Sequence, residues 1–430
     1  MLTRRTAIVL GVAVLAILIG YVLYPSVELF AAGLRPSVYR RLFASWHNAN
    51  VRALWNSVWI SLATVAGAGI LGSALAYALN RFDFPGKRVM NALAALPLAL
   101  PPLVGVIAFL FLYGESGVLP RGLQRALGLD EAPLAFEGFA AIWLVHVYSM
   151  YVYFYLFVGT ALAGVDRSMY EAANDLGASG GRTFRDVILP LLQPALLGAG
   201  LLVFMVSMAS FTAPLIFAGT EPFLTLQVYN YKMNGDMAMS AGASTVLTLI
   251  CLLFLVFIER SGRSTVGAAS KGIAAAAMPV RRGAVRWGVM LACAVFALFL
   301  LLPIATIVLV SFAEEGSWTY QILPQRYTVD NYLALFRDPN VLAPIVNSLT
   351  MAGIATAANV LFGVGAALYI VKTRLPGRVL ARALAVLPFA IPGTVVAVNL
   401  IVTFNSATLP GFGKVLVGSF WILPLAYFIR

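Results

Sequence analysis

Charge is what this sequence has least of. Only 11% of its 430 residues are Asp, Glu, Lys or Arg, while 61% are hydrophobic. Soluble domains carry about 25% charged and roughly 45–50% apolar residues. A water-facing surface cannot be assembled from that remainder, which excludes a soluble enzyme and a disordered protein. Cysteine is scarce as well. Cys251 and Cys293 sit in separate apolar runs without a spaced partner, which excludes a disulfide scaffold and leaves them as packing residues. The two histidines, His47 and His146, are too far apart to suggest a ligand cluster, so neither a metal nor another cofactor is expected. No Gly-x-x-x-x-Gly-Lys-Ser/Thr phosphate loop occurs, because Gly411-Phe412-Gly413-Lys414 lacks both the spacing and the hydroxyl residue. No His-Glu-x-x-His, Cys-x-x-Cys or nucleophile elbow occurs either. The chain is therefore not expected to hydrolyse ATP itself or to transform a substrate.

Long apolar runs are what the sequence does have. Ten can be placed, near 7–24, 55–79, 89–113, 138–163, 189–217, 241–258, 285–312, 345–371, 379–405 and 415–429. A transmembrane helix needs roughly 20 apolar residues, so the expected class is an all-α polytopic membrane protein. The runs are continuous rather than alternating, which argues against an outer-membrane barrel. The first run follows Arg4 and Arg5 and lacks a small-residue cleavage site, so it reads as a retained anchor. The net charge of +12 would suggest nucleic acid in a soluble protein. Here it reads as positive loops retained on the cytoplasmic side. With the N-terminus cytoplasmic, 19 of the 29 Lys and Arg residues fall on inner segments, against 6 of the 17 acidic residues. A multi-pass protein of the bacterial inner membrane, N-terminus inside, is the expectation.

The chain also repeats itself. Asn56-Ser57 recurs as Asn347-Ser348, an offset of 291 residues. The same offset carries Gly72 onto Gly363, Pro85-Gly86 onto Pro376-Gly377, Leu96-Pro97 onto Leu387-Pro388, and Pro101 onto Pro392. Scattered Leu and Ala matches arise by chance in apolar sequence. Proline and glycine landmarks in fixed register do not. The expected organisation is a first half over 1–258 with six helices, a basic cytoplasmic linker over 259–284, and a second half over 285–430. An even number of helices per half makes the repeat parallel, with a pathway expected between the halves.

One loop, 165–190, departs from the ordinary. Ser168 followed by Glu171 has the spacing of a capping box. Ala172, Ala173 and Leu176 continue a short helix, Gly177 is placed to end it in a left-handed cap, and Thr183 can cap a second helix that enters the membrane at Leu189-Pro190. The combination of Glu171-Ala172-Ala173, then Gly177, then Leu189-Pro190 resembles the EAA loop of binding-protein-dependent ABC importers. Val187 fills that family's branched position, and Gly180-Gly181 departs from its pattern. The resemblance implies a permease whose loop docks on a dimer of ABC ATP-binding subunits at the cytoplasmic face, with cargo delivered by a periplasmic substrate-binding protein. The residues it carries over as coupling residues are Glu171, Ala172, Ala173, Gly177, Leu189 and Pro190. The fused two-half form, with Ser207–Gly219 and the outer loop after it, looks closest to the ferric-iron type. Thiamine, phosphonate and polyamine importers remain alternatives, as does an ion-coupled secondary transporter. The last would need mid-membrane charges that are scarce here.

Candidates for the pathway are the repeated prolines Pro97, Pro101, Pro388 and Pro392, with Ser207, Ser210, Thr212 and Asn399 as polar groups inside apolar runs. Prolines remove backbone donors, and freed carbonyls are tolerated where protein or a water-filled cavity satisfies them. Bent helices beside a central cavity are the expectation. His146 is expected to be hydrogen-bonded between helices. The repeat would place a second coupling loop beyond Arg430. The second half is thus expected to be incomplete, after about four helices, in a piece of a longer fused permease or in a chain with one coupling loop.

Overall fold

The computed structural model describes residues 3–133, 136–262, 278–279, 283–318 and 321–430. Most of the predicted linker, including Ser264, Gly267 and Ala274–Ala277, lies outside the described residues. Helix dominates. Strand is confined, among the described residues, to the two-residue parallel pair of Phe82–Asp83 with Met278–Pro279. Among the described residues eight helices are long and apolar enough to cross a membrane: Arg4–Gly33, Ala49–Arg81, Pro102–Leu127, Gly138–Ala163, Gly180–Met208, Met237–Ile258, Arg286–Ser311 and Pro339–Lys372.

Four expected spans differ. The run at 89–113 is split into Lys87–Ala94, Leu96–Ala99 and Pro102–Tyr113. The run at 379–405 is not one bent helix. It is two, with the axes of Arg378–Phe389 and Gly393–Phe404 turned by 111°. The run at 415–429 forms only the short helix Ile422–Ile429, preceded by a stretch with positive φ at Phe412, Gly413 and Gly418. Left-handed backbone at three positions is incompatible with a continuing helix. The 189–217 run is likewise interrupted. Its helix stops at Met208 and a shorter one resumes at Thr212–Phe217.

Proline accounts for most of the irregularities inside spans. A five-residue π-helix, Ile19–Leu23, precedes Pro25, and another, Phe184–Ile188, precedes Pro190. A proline ring clashes with the carbonyl four residues earlier and offers it no N–H. The wider π turn relieves that clash without ending the helix.

The landmarks of the repeat share local conformation. Gly86 and Gly377 both have φ near +90° (89° and 90°), each at the start of a helix, Lys87–Ala94 and Arg378–Ala390. Pro101 (φ −57°, ψ 136°) and Pro392 (φ −56°, ψ 144°) both precede the next helix. The helices Ala49–Arg81 and Pro339–Lys372 also end at positions 291 residues apart.

The chain packs as two compact units. One comprises residues 1–56, 222–253 and 332–430. In it Val14, Leu18 and Val22 of the first helix bury against Ala366, Tyr369, Ala381 and Leu384, and the Tyr369 hydroxyl donates to the Pro376 carbonyl at 2.8 Å. The other comprises 57–221 and 254–331, and Gly138–Ala163 is its hub. Against that hub, helix Ala49–Arg81 presents a stripe of small buried residues: Ser61, Thr64, Ala68, Gly72 and Ala76. Small residues let helix backbones approach closely in a membrane. The buried phenols of the hub find backbone acceptors, Tyr148 on Leu300 at 2.9 Å and Tyr151 on Ala94 at 2.7 Å.

Candidate functional site

The 165–190 loop begins with a cap the sequence reading misplaced. The helix runs Arg167–Asp175, and its N-cap is Asp166, in extended conformation. Asp166 Oδ1 accepts from the Ser168 backbone N–H at 3.0 Å. Ser168 is therefore already inside the helix, and the predicted capping box with Glu171 is out of register. A carboxylate one residue earlier satisfies the first free amides and also complements the helix dipole. The C-terminus forms as expected. Gly177 has φ +76°, its N–H reaches the Asn174 carbonyl, and the Ala178 N–H reaches Ala173, both at 2.9 Å. These two bonds define a Schellman motif. The next helix is capped by Ser179 rather than Thr183. Ser179 Oγ accepts from the Arg182 N–H at 3.4 Å, and the Thr183 hydroxyl donates back to the Ser179 carbonyl at 3.1 Å.

The short helix has two distinct faces. Met169, Tyr170 and Ala173 lie inward. They rest on, or beside, a cluster of Ala76, Val158, Leu162, Val165, Ile188 and Leu192. Three membrane helices therefore converge beneath it: Ala49–Arg81, Gly138–Ala163 and Leu189–Met208. Glu171, Ala172, Asn174, Asp175 and Leu176 lie outward, and Leu176 is 88% exposed. The Arg81 guanidinium carbon stands 4.4 Å from the centre of the Tyr170 ring. Burial pushes the Tyr170 phenol up, and the Arg81 charge opposes that. One turn before Arg81, Tyr77 meets Phe184 edge-on at 5.1 Å. Leu189 and Pro190 open the helix that carries the loop into the bundle. The ion pairs of Arg182 and Arg185 with Asp186, at 3.5 and 3.7 Å, are exposed and contribute little.

The pathway candidates fall into two groups, one per compact unit. In the first, Ser207 and Ser210 converge on His146. Ser207 Oγ is 3.2 Å from Nδ1 and Ser210 Oγ 2.8 Å from Nε2. Thr64, which sequence reasoning missed, approaches Nδ1 at 3.5 Å. His146 thus joins the helix Gly138–Ala163 to both sides of the break after Met208. Pro97 starts the four-residue helix Leu96–Ala99, and Pro101 follows the extended Leu100. In the second group, Pro388 lies in the helix Arg378–Ala390, Pro392 caps the next, and Asn399 is buried. Asn399 Nδ2 donates to Ser26 Oγ at 3.4 Å. Its Oδ1 has no hydrogen-bond partner among the described residues. Pro388, Ile391, Asn399, Ser26 and Tyr21 line a cavity of only about 10 Å³, room for about one water molecule, and Pro392 does not border it. Among the described residues no three His, Cys, Asp or Glu side chains converge as a metal site would require.

Residues 68–264 match the family described as the binding-protein-dependent transport system inner membrane component. Across 387 residues the chain is 32% identical to the probable ABC transporter permease protein y4fN of Sinorhizobium fredii, covering 88% of this chain and 67% of that protein. The chain belongs to the binding-protein-dependent ABC importer permeases. It is a multi-pass inner-membrane permease component rather than an ATPase. The permease is also 25% identical to the ferric transport system permease protein FbpB of Actinobacillus pleuropneumoniae, over 92% of this chain and 58% of that protein. Against the thiamine transport system permease protein ThiP of Brucella suis it is 30% identical, over 54% of this chain and 42% of that one. The permease sequence thus spans between about two fifths and two thirds of the length of these three relatives.

Proposed function

We propose that this permease moves cargo inward across the inner membrane in an ATP-driven importer, and that the cargo is ferric iron. A periplasmic binding protein would deliver the ion to the outer loops, and a dimer of ATP-binding subunits would drive the cycle from the cytoplasm. The N-terminus and the 165–190 loop then lie on the cytoplasmic side, and 1–258 and 285–430 act as related halves joined by 259–284. The observation that carries the reading is the two-faced helix Arg167–Asp175. One face is packed on the ends of three membrane helices, while the other, with Glu171, Ala172 and Leu176, is exposed. A rigid element gripped on one side and open on the other transmits a push. Closure of the ATPase dimer on ATP would shift the bundle between two access states, in proportion to its differential affinity for them.

Iron is favoured by the likeness to the ferric permease, which extends over nearly the whole chain. Thiamine is a second reading, supported by the thiamine permease at higher identity over a shorter span. The test is uptake of radiolabelled ferric iron and of radiolabelled thiamine in cells producing the permease with its ATP-binding subunit and binding protein. Iron uptake that depends on ATP and falls at least tenfold in Glu171→Arg, with normal membrane insertion, is the expected result. That tenfold corresponds to a loss of about 1.4 kcal/mol of docking free energy. Uptake that follows membrane potential, or thiamine uptake without iron uptake, would refute it.

A further inference from the structure

Helix Ala49–Arg81 ends on a cation, where the negative end of the helix dipole holds it. That cation does not point into water alone. It lies over the ring of Tyr170, 4.4 Å from its centre, on a different element 89 positions along the chain. Both residues are half-buried, which makes a guanidinium–ring contact stronger than it is at a fully exposed site. The rest of the inward face of the short helix is apolar: Met169 and Ala173, over or near Ala76, Leu162 and Leu192. Apolar burial is non-directional. A helix seated only on that cluster could slide or roll at little cost. A guanidinium stacked on a ring face is directional and resists both motions.

We propose that Tyr170 is a positioning residue that couples the short helix Arg167–Asp175 to the helix Ala49–Arg81 by presenting its ring to the Arg81 guanidinium. This rests on the transport reading above, and it assigns to the pair the step by which displacement of the docked helix reaches that span. Tyr77, one turn before Arg81 and edge-on to Phe184, keeps the helix end in register with the second half of the loop. The hydroxyl of Tyr170 is not needed for this role, whereas the ring and the positive charge are.

The experiment uses the permease assembled with its ATP-binding subunits and binding protein in liposomes, supplied with radiolabelled ferric iron and, in parallel, radiolabelled thiamine. Cargo moved per ATP hydrolysed and ATP-binding subunit retained per permease are both measured. Tyr170→Phe keeps the ring and should hold the cargo-to-ATP ratio within about twofold, whereas Tyr170→Leu and Arg81→Gln should each lower it by about fivefold or more; Arg81→Lys keeps the charge but not the planar stack and should fall between them. The double variant should be no worse than either single one, because both remove the same contact. Subunit retention should be unchanged throughout. An unaltered ratio in Tyr170→Leu and Arg81→Gln, additive losses in the double variant, or loss of ratio and retention together would each overturn the inference. Absence of ATP-driven uptake of either cargo by the unsubstituted complex would overturn the transport reading itself, before any variant is compared.

Discussion

Gly72 sits where helix Ala49–Arg81 closely approaches the backbone of helix Gly138–Ala163. A Cβ added there would lie 2.2 Å from the Tyr151 carbonyl oxygen, 2.7 Å from the Phe154 Cβ and 3.0 Å from the Tyr155 backbone nitrogen. Ordinary contact begins at 3.4 Å, so Gly72→Ala requires the helices to separate by about 1 Å at this point. Two of the three obstacles are backbone atoms, so no rotamer change relieves them, and the cost should fall at the upper end of overpacking, about 3 kcal/mol. Alanine's preference over glycine in a helix interior returns about 1 kcal/mol. The net loss is then about 2 kcal/mol, roughly a thirtyfold fall in the ratio of folded to unfolded protein. Gly363 is the internal control. It occupies the matching position of the repeat, and a Cβ there meets nothing within 4 Å. Gly363→Ala should therefore leave stability unchanged or raise it slightly. The assay is unfolding of the purified permease in detergent, by thermal ramp or denaturant titration, followed by size exclusion. Equal stability of Gly72→Ala and the unsubstituted protein, or an equal loss in Gly363→Ala, would refute the close-approach argument.

Two further substitutions probe the site. Asp166→Ala removes the N-cap and should cost the Arg167–Asp175 helix about 1 kcal/mol, seen as faster amide exchange over 167–175, while Ser168→Ala should change little; the reverse order would restore the capping box. His146→Leu removes the bonds to Ser207 and Ser210 but keeps most of the volume. Such bonds are worth about 0.6 kcal/mol each inside a membrane bundle, so a loss of about 1 kcal/mol in detergent stability is expected, and no loss would mean that those bonds carry no net stability.

The sequence was legible where the signal is local. The left-handed Gly177 and the proline and glycine landmarks each depend on one or two neighbouring residues and are found where they were expected. Six of the ten apolar runs match single long helices, whereas those at 89–113, 189–217, 379–405 and 415–429 are broken or shortened. The cap was misread because two candidates, Asp166 and Ser168, lie within reach of the same amides, and the spacing rule favours the serine only if the helix starts after it. Contacts between distant segments were not legible at all. Thr64 and His146 are 82 positions apart, Arg81 and Tyr170 are 89 apart, and nothing in either residue's own neighbourhood names the other. Asn399 was picked out as a polar residue in an apolar run. Its Ser26 partner, 373 positions away, had no signature in sequence.

The broken helices show how far local coding extends between two matching stretches of sequence. A residue before proline is pushed out of the helical region by the proline ring. Leu100 (φ −86°, ψ 128°) and Ile391 (φ −96°, ψ 126°) both adopt the extended conformation this dictates. The two breaks therefore form at equivalent positions, although their surroundings differ. Gly72 is pressed against Tyr151, yet its counterpart Gly363 is open, and Pro97 begins a four-residue helix where Pro388 lies within a longer one. The sequence match carries the proline, and with it the backbone turn. The match does not extend to the packing, because packing depends on residues such as Tyr151 and His146 that approach from elsewhere in the chain. A substitution at Pro101 or Pro392 should accordingly change backbone geometry in the same way in both copies. One at Gly72 or Gly363 should not have equivalent effects.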